Sequence, residues 1–214
     1  MTFIHDQDRI NIEKRFQDLD QPVRILNFSQ EMECNYCKET RQLLEELAAL
    51  SDKITLEVYD LIKDQAVAEQ FGIDKLPATV VMGEKDYGIR LYGIPSGFEF
   101  STLLEDILLV SRRDSRLSPE TRQQLAEVTE PTRIQVFVTP TCPYCPRAVV
   151  LAHQFAMEND LITADMVEVT EFPHLAQRYG VRGVPKTVAN EVSVAEGALP
   201  ETHLLNNLLA VTTH

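Results

Sequence analysis

The chain has 214 residues, a length that suits two domains of roughly 100 residues each better than a single one. Its formal net charge of −13 at pH 7 disfavours nucleic-acid backbones and anionic membrane surfaces as partners. No apolar run approaches the roughly 20 residues that span a bilayer, and residues 1–8 lack the basic and apolar stretches of a secretory signal. We therefore expect a cytoplasmic protein that binds neither nucleic acid nor membrane.

The first half of the chain predicts alternating helices and strands. Residues 23–30 are apolar and β-branched, as in a buried strand, whereas Leu43, Leu44 and Leu47 recur at helical spacing. The predicted order is a helix (8–19), a strand (23–30), a helix (38–50), a strand (54–60), a short helix (65–71), a hairpin (78–82 and 87–92) and a closing helix (98–110).

A polar stretch, residues 111–116, separates this half from the next. Ser118 and Pro119 then mark a helix start, as N-cap and first helical residue. We place the boundary here and predict two units, 1–113 and 114–214. The second unit repeats the order of the first: a strand (133–138), a helix (142–159), a strand (162–169), a helix (171–179), a short hairpin through residue 191 and a helix (200–211).

Three landmarks recur between the halves at a fixed offset of 108 residues. All four cysteines fall in two Cys-x-x-Cys pairs, and each pair is followed by a Pro-x-Thr-Val segment about forty residues later. Such landmarks in register are hard to explain by chance, so the sequence indicates a duplicated domain. The matched positions are Cys34 and Cys142, Cys37 and Cys145, and Pro77 and Pro185.

Strand, Cys-x-x-Cys, helix, strand and Pro-x-Thr in this order resemble the thioredoxin superfamily. The tandem arrangement is similar to the protein disulfide oxidoreductases of thermophiles, also called glutaredoxin-like proteins, and residues 136–146 are especially similar to that family's second unit. The resemblance implies an α/β fold of two tandem thioredoxin-like units, each a central mixed β-sheet flanked by helices. It also implies an oxidoreductase that reduces, forms or isomerises protein disulfides without a cofactor.

The partners implied by this resemblance are protein thiols and disulfides, together with an upstream enzyme similar to thioredoxin reductase.

A cysteine at a helix N-terminus has its thiolate stabilised by the helix dipole, which lowers the thiol pKa. We therefore expect Cys34 and Cys142 to be the exposed nucleophiles. Cys37 and Cys145 lie one turn later and are expected to attack the mixed disulfide, which releases the partner.

Four further residues are implied by the resemblance to contact substrate. In the superfamily the proline after the second strand forms a cis peptide beside the nucleophile, and the backbone of the preceding residue pairs with the incoming peptide. Leu76 and Pro77 take these positions in the first unit, and Val184 and Pro185 in the second. Tyr36 and Tyr144 are expected to form part of an apolar rim around the two sites.

An acid usually helps to deprotonate the second cysteine. Thioredoxin carries it six residues before its first cysteine, where this chain has Phe28 and Val136. Asp60 and Glu168, at the ends of the following strands, are the candidate proton shuttles, and strand parity allows both to point inward. The alternative is that they only cap a strand end or a helix.

The five histidines follow no metal-ligand spacing, and we expect them to face solvent: His5, His153, His174, His203 and His214. A structural zinc site is disfavoured, because paired Cys-x-x-Cys ligands normally lie about 15–20 residues apart and these pairs are far more widely separated. We expect no metal.

Two other functions stay open. A glutathione-dependent glutaredoxin usually carries a basic residue shortly before its first cysteine, whereas this chain has Glu31 and Thr139 three residues upstream, and it lacks the Gly-Gly motif after the proline. The electron-relay domain of a peroxide-reducing system has a similar tandem fold but typically keeps one cysteine pair.

The two sites are expected to differ. Pro143 fixes its φ angle ready for a helix, whereas Glu31 and Glu33 place negative charge near Cys34. We therefore predict the lower thiol pKa at Cys142.

Overall fold

A computed structural model describes residues 2–212. The predicted alternation in the first half is present, with element ends shifted by up to three residues. In the hairpin, for example, the second strand begins at Ile89 instead of residue 87. The elements are α1 (Asp6–Phe16), β1 (Val23–Ser29), α2 (Cys37–Ala48), β2 (Ile54–Asp60), α3 (Gln65–Gln70), β3 (Ala78–Met82), β4 (Ile89–Tyr92) and α4 (Glu99–Arg112).

The second half repeats this order, including a helix before its first strand. That helix has the predicted cap, since the hydroxyl oxygen of Ser118 accepts a hydrogen bond from the backbone N–H of Thr121. The elements are α5 (Pro119–Leu125), β5 (Thr132–Val138), α6 (Cys145–Glu158), β6 (Ile162–Glu168), α7 (Pro173–Arg178), β7 (Lys186–Ala189), β8 (Val192–Glu196) and α8 (Glu201–Thr212).

Both active-site helices begin at the second cysteine of the pair, not the first. The prediction of a helix from residue 142 was therefore three residues too long at its start. Residues 142–145 form a turn instead, closed by a hydrogen bond from the Cys145 N–H to the Cys142 carbonyl oxygen. Cys34 and Cys142 thus lie just before the free N–H groups of their helices.

The two halves share one eight-stranded mixed sheet of order β2-β1-β3-β4-β6-β5-β7-β8. The sheets of the units meet edge to edge, because β4 pairs in parallel with β6. Within each half, the strand before the cysteine pair (β1 or β5) pairs in parallel with the next strand and antiparallel with the strand after the proline. The expected mixed sheets flanked by helices are thus confirmed.

The strand directions place both cysteine pairs at the same edge of the sheet. β1 is antiparallel to β3 and β3 to β4, whereas β4, β6 and β5 are mutually parallel, so β1 and β5 run in the same direction. Four inter-strand steps of roughly 4.8 Å separate them, or about 19 Å. We call the edge at the carboxyl ends of β1 and β5 the cysteine edge.

Helices cover the two faces of the sheet unequally. One face packs against α1, α2, α4, α5, α6 and α8 in a single apolar core that continues across both halves. The other face carries only α3 and α7 over a smaller core. Alternate strand residues supply the two cores, as Ile25 and Leu26 do.

Ion pairs also join the halves beside this smaller core. The Arg133 guanidinium on β5 lies 2.8 Å from an oxygen of Asp74 and 2.6 Å from an oxygen of Asp165. The Lys75 ammonium lies 2.5 Å from Asp74 and 3.5 Å from the ring centre of buried Tyr92.

None of the helices within residues 2–212 combines the length and the apolar character needed to cross a membrane.

Candidate active site

The first cysteine pair is a disulfide on the surface of the cysteine edge. Cys34 and Cys37 have Cα atoms 5.6 Å apart; Cys34 is half-buried, whereas Cys37 is buried. Glu33, just before Cys34, has a left-handed backbone with φ of 59°. Both cysteines line a cavity of about 580 Å³ between α2 and β2.

The second pair is also a disulfide, with Cα atoms 5.5 Å apart. Cys142 exposes only 8% of its surface and Cys145 none. The expectation of an exposed nucleophile is therefore wrong for Cys142, whereas Cys34 is half-buried. One reason is that the loop before β7 lies over the second site, where the Cys142 Sγ atom is 3.7 Å from the Val184 carbonyl oxygen.

Both prolines implied by the resemblance follow cis peptide bonds, Leu76–Pro77 and Val184–Pro185. Each proline carbonyl oxygen accepts a hydrogen bond from the glycine after the hairpin: the distance is 2.9 Å from the Gly93 nitrogen to Pro77 and 2.7 Å from the Gly197 nitrogen to Pro185. The same local frame is thus built twice, although the second hairpin is shorter.

The two candidate acids have different surroundings. Asp60 is half-buried, lines the cavity with Cys34 and Cys37, and accepts hydrogen bonds from the N–H groups of Ile62 and Lys63. These hydrogen bonds, with that to Lys63 the stronger influence, hold the pKa of the Asp60 carboxyl below its ordinary value.

Glu168 is buried, with 1% of its surface exposed. Its carboxylate accepts hydrogen bonds from the N–H and hydroxyl of Thr170 and from the Glu171 N–H. These bonds close the turn before α7, which is the capping arrangement named above as the alternative to proton transfer.

Sequence reasoning missed a buried polar cluster in the interface between α4 and α6. His153 is fully buried, contrary to the expectation that it faces solvent, and its Nδ1 atom lies 2.9 Å from both carboxylate oxygens of Asp106. Desolvation raises the pKa of Asp106 and raises that of Glu99, at the start of α4, to about 7. Glu99 hydrogen-bonds to the Thr102 hydroxyl.

This cluster could not be found from spacing, because it pairs residues from different halves. The other described histidines are exposed as expected: His5, His174 and His203. His214 lies outside the described residues.

The first half supports the loop that carries Cys142. The Phe98 N–H donates to the Pro140 carbonyl oxygen at 2.9 Å, and a Cβ atom at Gly97 would overlap that oxygen. Nearby, the Glu171 carboxylate accepts a hydrogen bond from the Ile94 N–H at 2.7 Å. Burial, and to a lesser extent the adjacent Glu168, raises the pKa of Glu171 to about 7 despite the opposing hydrogen bond from Ile94.

Exposed apolar side chains concentrate in the loops of the cysteine edge. Five such side chains lie in loops that follow the carboxyl ends of β1, β2, β4 or β5, four strands that run in the same direction. Contiguous exposed apolar surface commonly marks an interaction site. The residues are Met32, Tyr36, Ile62, Phe98 and Tyr144, which expose between 45% and 78% of their surface.

Within residues 2–212, no cluster of three or more histidine, cysteine or acidic residues is placed to hold a metal.

Comparison with known proteins agrees with this geometry. A family model described as a thioredoxin domain matches residues 132–210. A solved protein disulfide oxidoreductase from Aeropyrum pernix K1 superposes with a TM-score of 0.93 and 28% identity, over 98% of this chain and 94% of that one. The N-terminal domain of alkylhydroperoxide reductase AhpF from Enterococcus faecalis superposes with a TM-score of 0.88 and 26% identity, over 95% and 99%.

Curated relatives are longer proteins. A NADH dehydrogenase from Bacillus subtilis is 25% identical over 168 residues, which is 78% of this chain and 31% of the relative. An alkyl hydroperoxide reductase component from Staphylococcus epidermidis is 26% identical over 170 residues, or 79% and 31%. The chain thus spans less than a third of the length of these relatives. The two superpositions and the duplicated disulfide site show that the chain has a tandem thioredoxin fold similar to that of these proteins.

Proposed function

We propose that this protein is a thiol–disulfide oxidoreductase that reduces, forms or isomerises disulfides in other proteins, and that it does so in the cytoplasm. The observation that carries the proposal is the duplicated site: two disulfides, each before a helix and beside a cis-proline, at one edge of one sheet. Close cysteine pairs in a cytosolic chain are more often catalytic than structural.

Each site works by two exchanges. In the reducing direction, the thiolate of Cys34 or Cys142 attacks a substrate disulfide, forms a mixed disulfide and displaces one substrate thiolate. Cys37 or Cys145 then attacks the mixed disulfide, releases the second substrate thiol and closes the protein disulfide, so two electrons pass to the substrate. A dithiol from an upstream enzyme similar to thioredoxin reductase returns the protein to its reduced form.

The substrate backbone pairs with Leu76 at the first site and with Val184 at the second, beside Pro77 and Pro185. The exposed apolar side chains of the cysteine edge support protein substrates, because an unfolded or partly folded chain presents apolar segments to such a surface. Since about 19 Å separates β1 from β5, the two disulfides do not exchange directly. Each site therefore handles a substrate by itself.

Asp60 is the candidate proton shuttle at the first site because it shares the cavity with both cysteines, although its lowered pKa makes its carboxylate a weak base. At the second site Glu168 is the corresponding carboxylate. Its hydrogen bonds to the turn before α7 favour a capping role.

A trapping experiment tests the proposal. A Cys145→Ser variant that also carries Cys34→Ser and Cys37→Ser keeps the nucleophile Cys142 and lacks every resolving cysteine. It should accumulate a mixed disulfide with insulin, visible by mass spectrometry. A variant in which Cys142 is replaced as well should form none. Failure of the first variant to form any adduct would overturn the assignment.

A second function is favoured by the likeness to the AhpF domain over almost its full length. In this role the same chemistry relays electrons within a peroxide-reducing system. It predicts that the reduced protein transfers electrons to a cysteine-dependent peroxidase faster than to insulin. Stopped-flow measurement of both rates with one preparation separates the two functions.

A further inference from the structure

We propose that the cavity beside the Cys34–Cys37 disulfide binds small disulfides of amino-acid type, which carry both carboxylate and ammonium groups. The proposal rests on the proposed function, since it names a second substrate class for the first site. It differs from that function because the substrate here is held by a pocket and not by the extended cysteine edge.

The cavity has the size and position that a small substrate needs. Its volume of about 580 Å³ falls inside the range of roughly 300–1,000 Å³ that is usual for small-molecule sites. Its walls are the end of β1, the first turns of α2, the outer strand β2 and the turn before α3, and both cysteines line it. A ligand in this cavity therefore lies beside both cysteines of the first site.

The charges around the cavity are balanced, with three cationic and three anionic side chains. Two of the acids are already engaged, because Asp60 accepts hydrogen bonds from its own turn and Asp64 accepts one from the Asp60 N–H at 2.8 Å. The side chains of Lys38 and Glu31 make no hydrogen bond or ion pair with any other side chain or backbone group within residues 2–212. The charged lining residues are Lys38, Arg41, Lys63, Glu31, Asp60 and Asp64.

This balance selects the ligand class. A purely anionic ligand would place carboxylates near Glu31, and a purely cationic one would place ammonium groups near Lys38, so each would meet a like charge. A molecule with both groups pairs each charge with its opposite. Because the pairs are partly exposed to solvent, each contributes on the order of 0.2–1 kcal/mol, or up to about fivefold in affinity.

The first site also admits a small molecule more readily than the second. Cys34 is half-buried, whereas Cys142 exposes 8% of its surface beneath the Val184 carbonyl. The left-handed backbone at Glu33 turns the chain immediately before Cys34.

The reaction balances without an additional cofactor. The Cys34 thiolate attacks one sulfur of the small disulfide, and the bond between its two sulfur atoms breaks to release one small thiolate. Cys37 attacks the mixed disulfide on Cys34, releases the second small thiol and passes its proton to the leaving sulfur. The small disulfide gains two electrons, and the protein is oxidised to the Cys34–Cys37 disulfide, which an external dithiol reduces again.

Four symmetrical disulfides of similar size test the proposal in pre-reduced protein. Cystine carries both charges, cystamine only ammonium groups, 3,3′-dithiodipropionate only carboxylates and 2-hydroxyethyl disulfide neither. Each rate is divided by the rate of the same disulfide with free dithiothreitol, which removes differences in the pKa of the leaving thiol. In the full chain with Cys142→Ser and Cys145→Ser, this relative rate should be about two- to fivefold higher for cystine than for each of the others. In the chain with Cys34→Ser and Cys37→Ser, the four rates should lack this preference.

Single substitutions identify the charges that act. Lys38→Gln should slow cystine and dithiodipropionate but not cystamine, and Glu31→Gln should slow cystine and cystamine but not dithiodipropionate. Lys14→Gln, an exposed lysine on α1, is the matched control and should change none of the rates. Equal rates for all four disulfides at the first site, or the same preference at the second, would overturn the inference.

Insulin reduction by the same two cysteine variants keeps this result separate from the proposed function. If insulin is reduced and cystine has no advantage, only the cavity inference fails. If neither variant reduces insulin, the proposed function itself fails.

Discussion

The Sγ atom of Cys142 lies 3.7 Å from the carbonyl oxygen of Val184, the residue before Pro185. This contact joins two segments 42 residues apart in the chain and brings the nucleophile of the second site against the loop proposed to hold substrate. It also accounts for the low exposure of Cys142. The chemistry of the second site therefore depends on this loop as well as on the helix.

The first prediction concerns the reactivity of the two nucleophiles. The first turn of α2 contains the acidic Glu39, whereas the first turn of α6 contains no acid. Together with exposed Glu31 and Glu33, Glu39 places negative charge near Cys34, which disfavours the Cys34 thiolate and raises its thiol pKa relative to that of Cys142. Rates of alkylation against pH, in variants that keep one nucleophile each, should give the lower thiol pKa at Cys142.

Two features of the second site should raise the thiol pKa of Cys142 instead: its burial and the Val184 carbonyl oxygen near its sulfur. If the lower pKa is found at Cys34, these features dominate and the charge argument is wrong. Glu39→Gln supplies a check, because it should lower the thiol pKa of Cys34 by a fraction of a unit and leave Cys142 unchanged.

The second prediction concerns Gly97, which has a φ of 60° and touches Pro140. Gly97→Ala should destabilise the protein by more than about 2 kcal/mol, because it combines left-handed strain with overlap at the Pro140 carbonyl. It should also slow exchange at Cys142, since Pro140 leads into that site. Urea unfolding and single-site alkylation measure the two effects.

Gly72→Ala is the matched control. Gly72 has a similar φ of 64° but nothing within 4 Å of an added Cβ atom, so it should show only the strain of about 1–2 kcal/mol. Equal effects of the two substitutions would show that the contact with Pro140 has no energetic role.

The third prediction is a pH dependence of stability. In the folded protein the pKa values of Glu99 and Glu171 are raised from 4.5 to about 7 by burial. The stability that their protonation contributes is fully present below about pH 4.5 and is lost as pH rises through about 7. The free energy of unfolding should therefore fall across this window.

Glu99→Gln and Glu171→Gln should each flatten this decline, as measured by urea unfolding at a series of pH values. Glu127→Gln, which replaces an exposed acid, should leave the slope unchanged. An unaltered slope in both buried variants would mean that these carboxyls ionise normally in the folded protein.

Much of the fold follows from the repeat in the sequence. The fixed offset between Cys34 and Cys142 predicted two equivalent units, and the structure joins them in one continuous sheet through β4 and β6. The cis-prolines followed from the family resemblance. The unit boundary between residues 113 and 114 and the substrate-binding residues stay predictions.

The features that were missed depend on contacts between residues that are distant in the chain. His153 was expected in solvent because no local pattern marks it, yet Asp106 of α4 lies against it. The covering of Cys142 likewise depends on Val184, which approaches from a distant loop. Local spacing carries no information about such pairs, so they become visible only when the helices and the sheet are assembled.

The most direct test of the account is insulin reduction driven by a dithiol, followed as precipitation of the insulin chains. Cys34→Ser and Cys142→Ser should each leave partial activity, because each half carries a complete site. The variant with both substitutions should be inactive while its folded structure, checked by circular dichroism, is unchanged. Full activity in that double variant would contradict the claim that these two cysteines are the nucleophiles of a disulfide oxidoreductase.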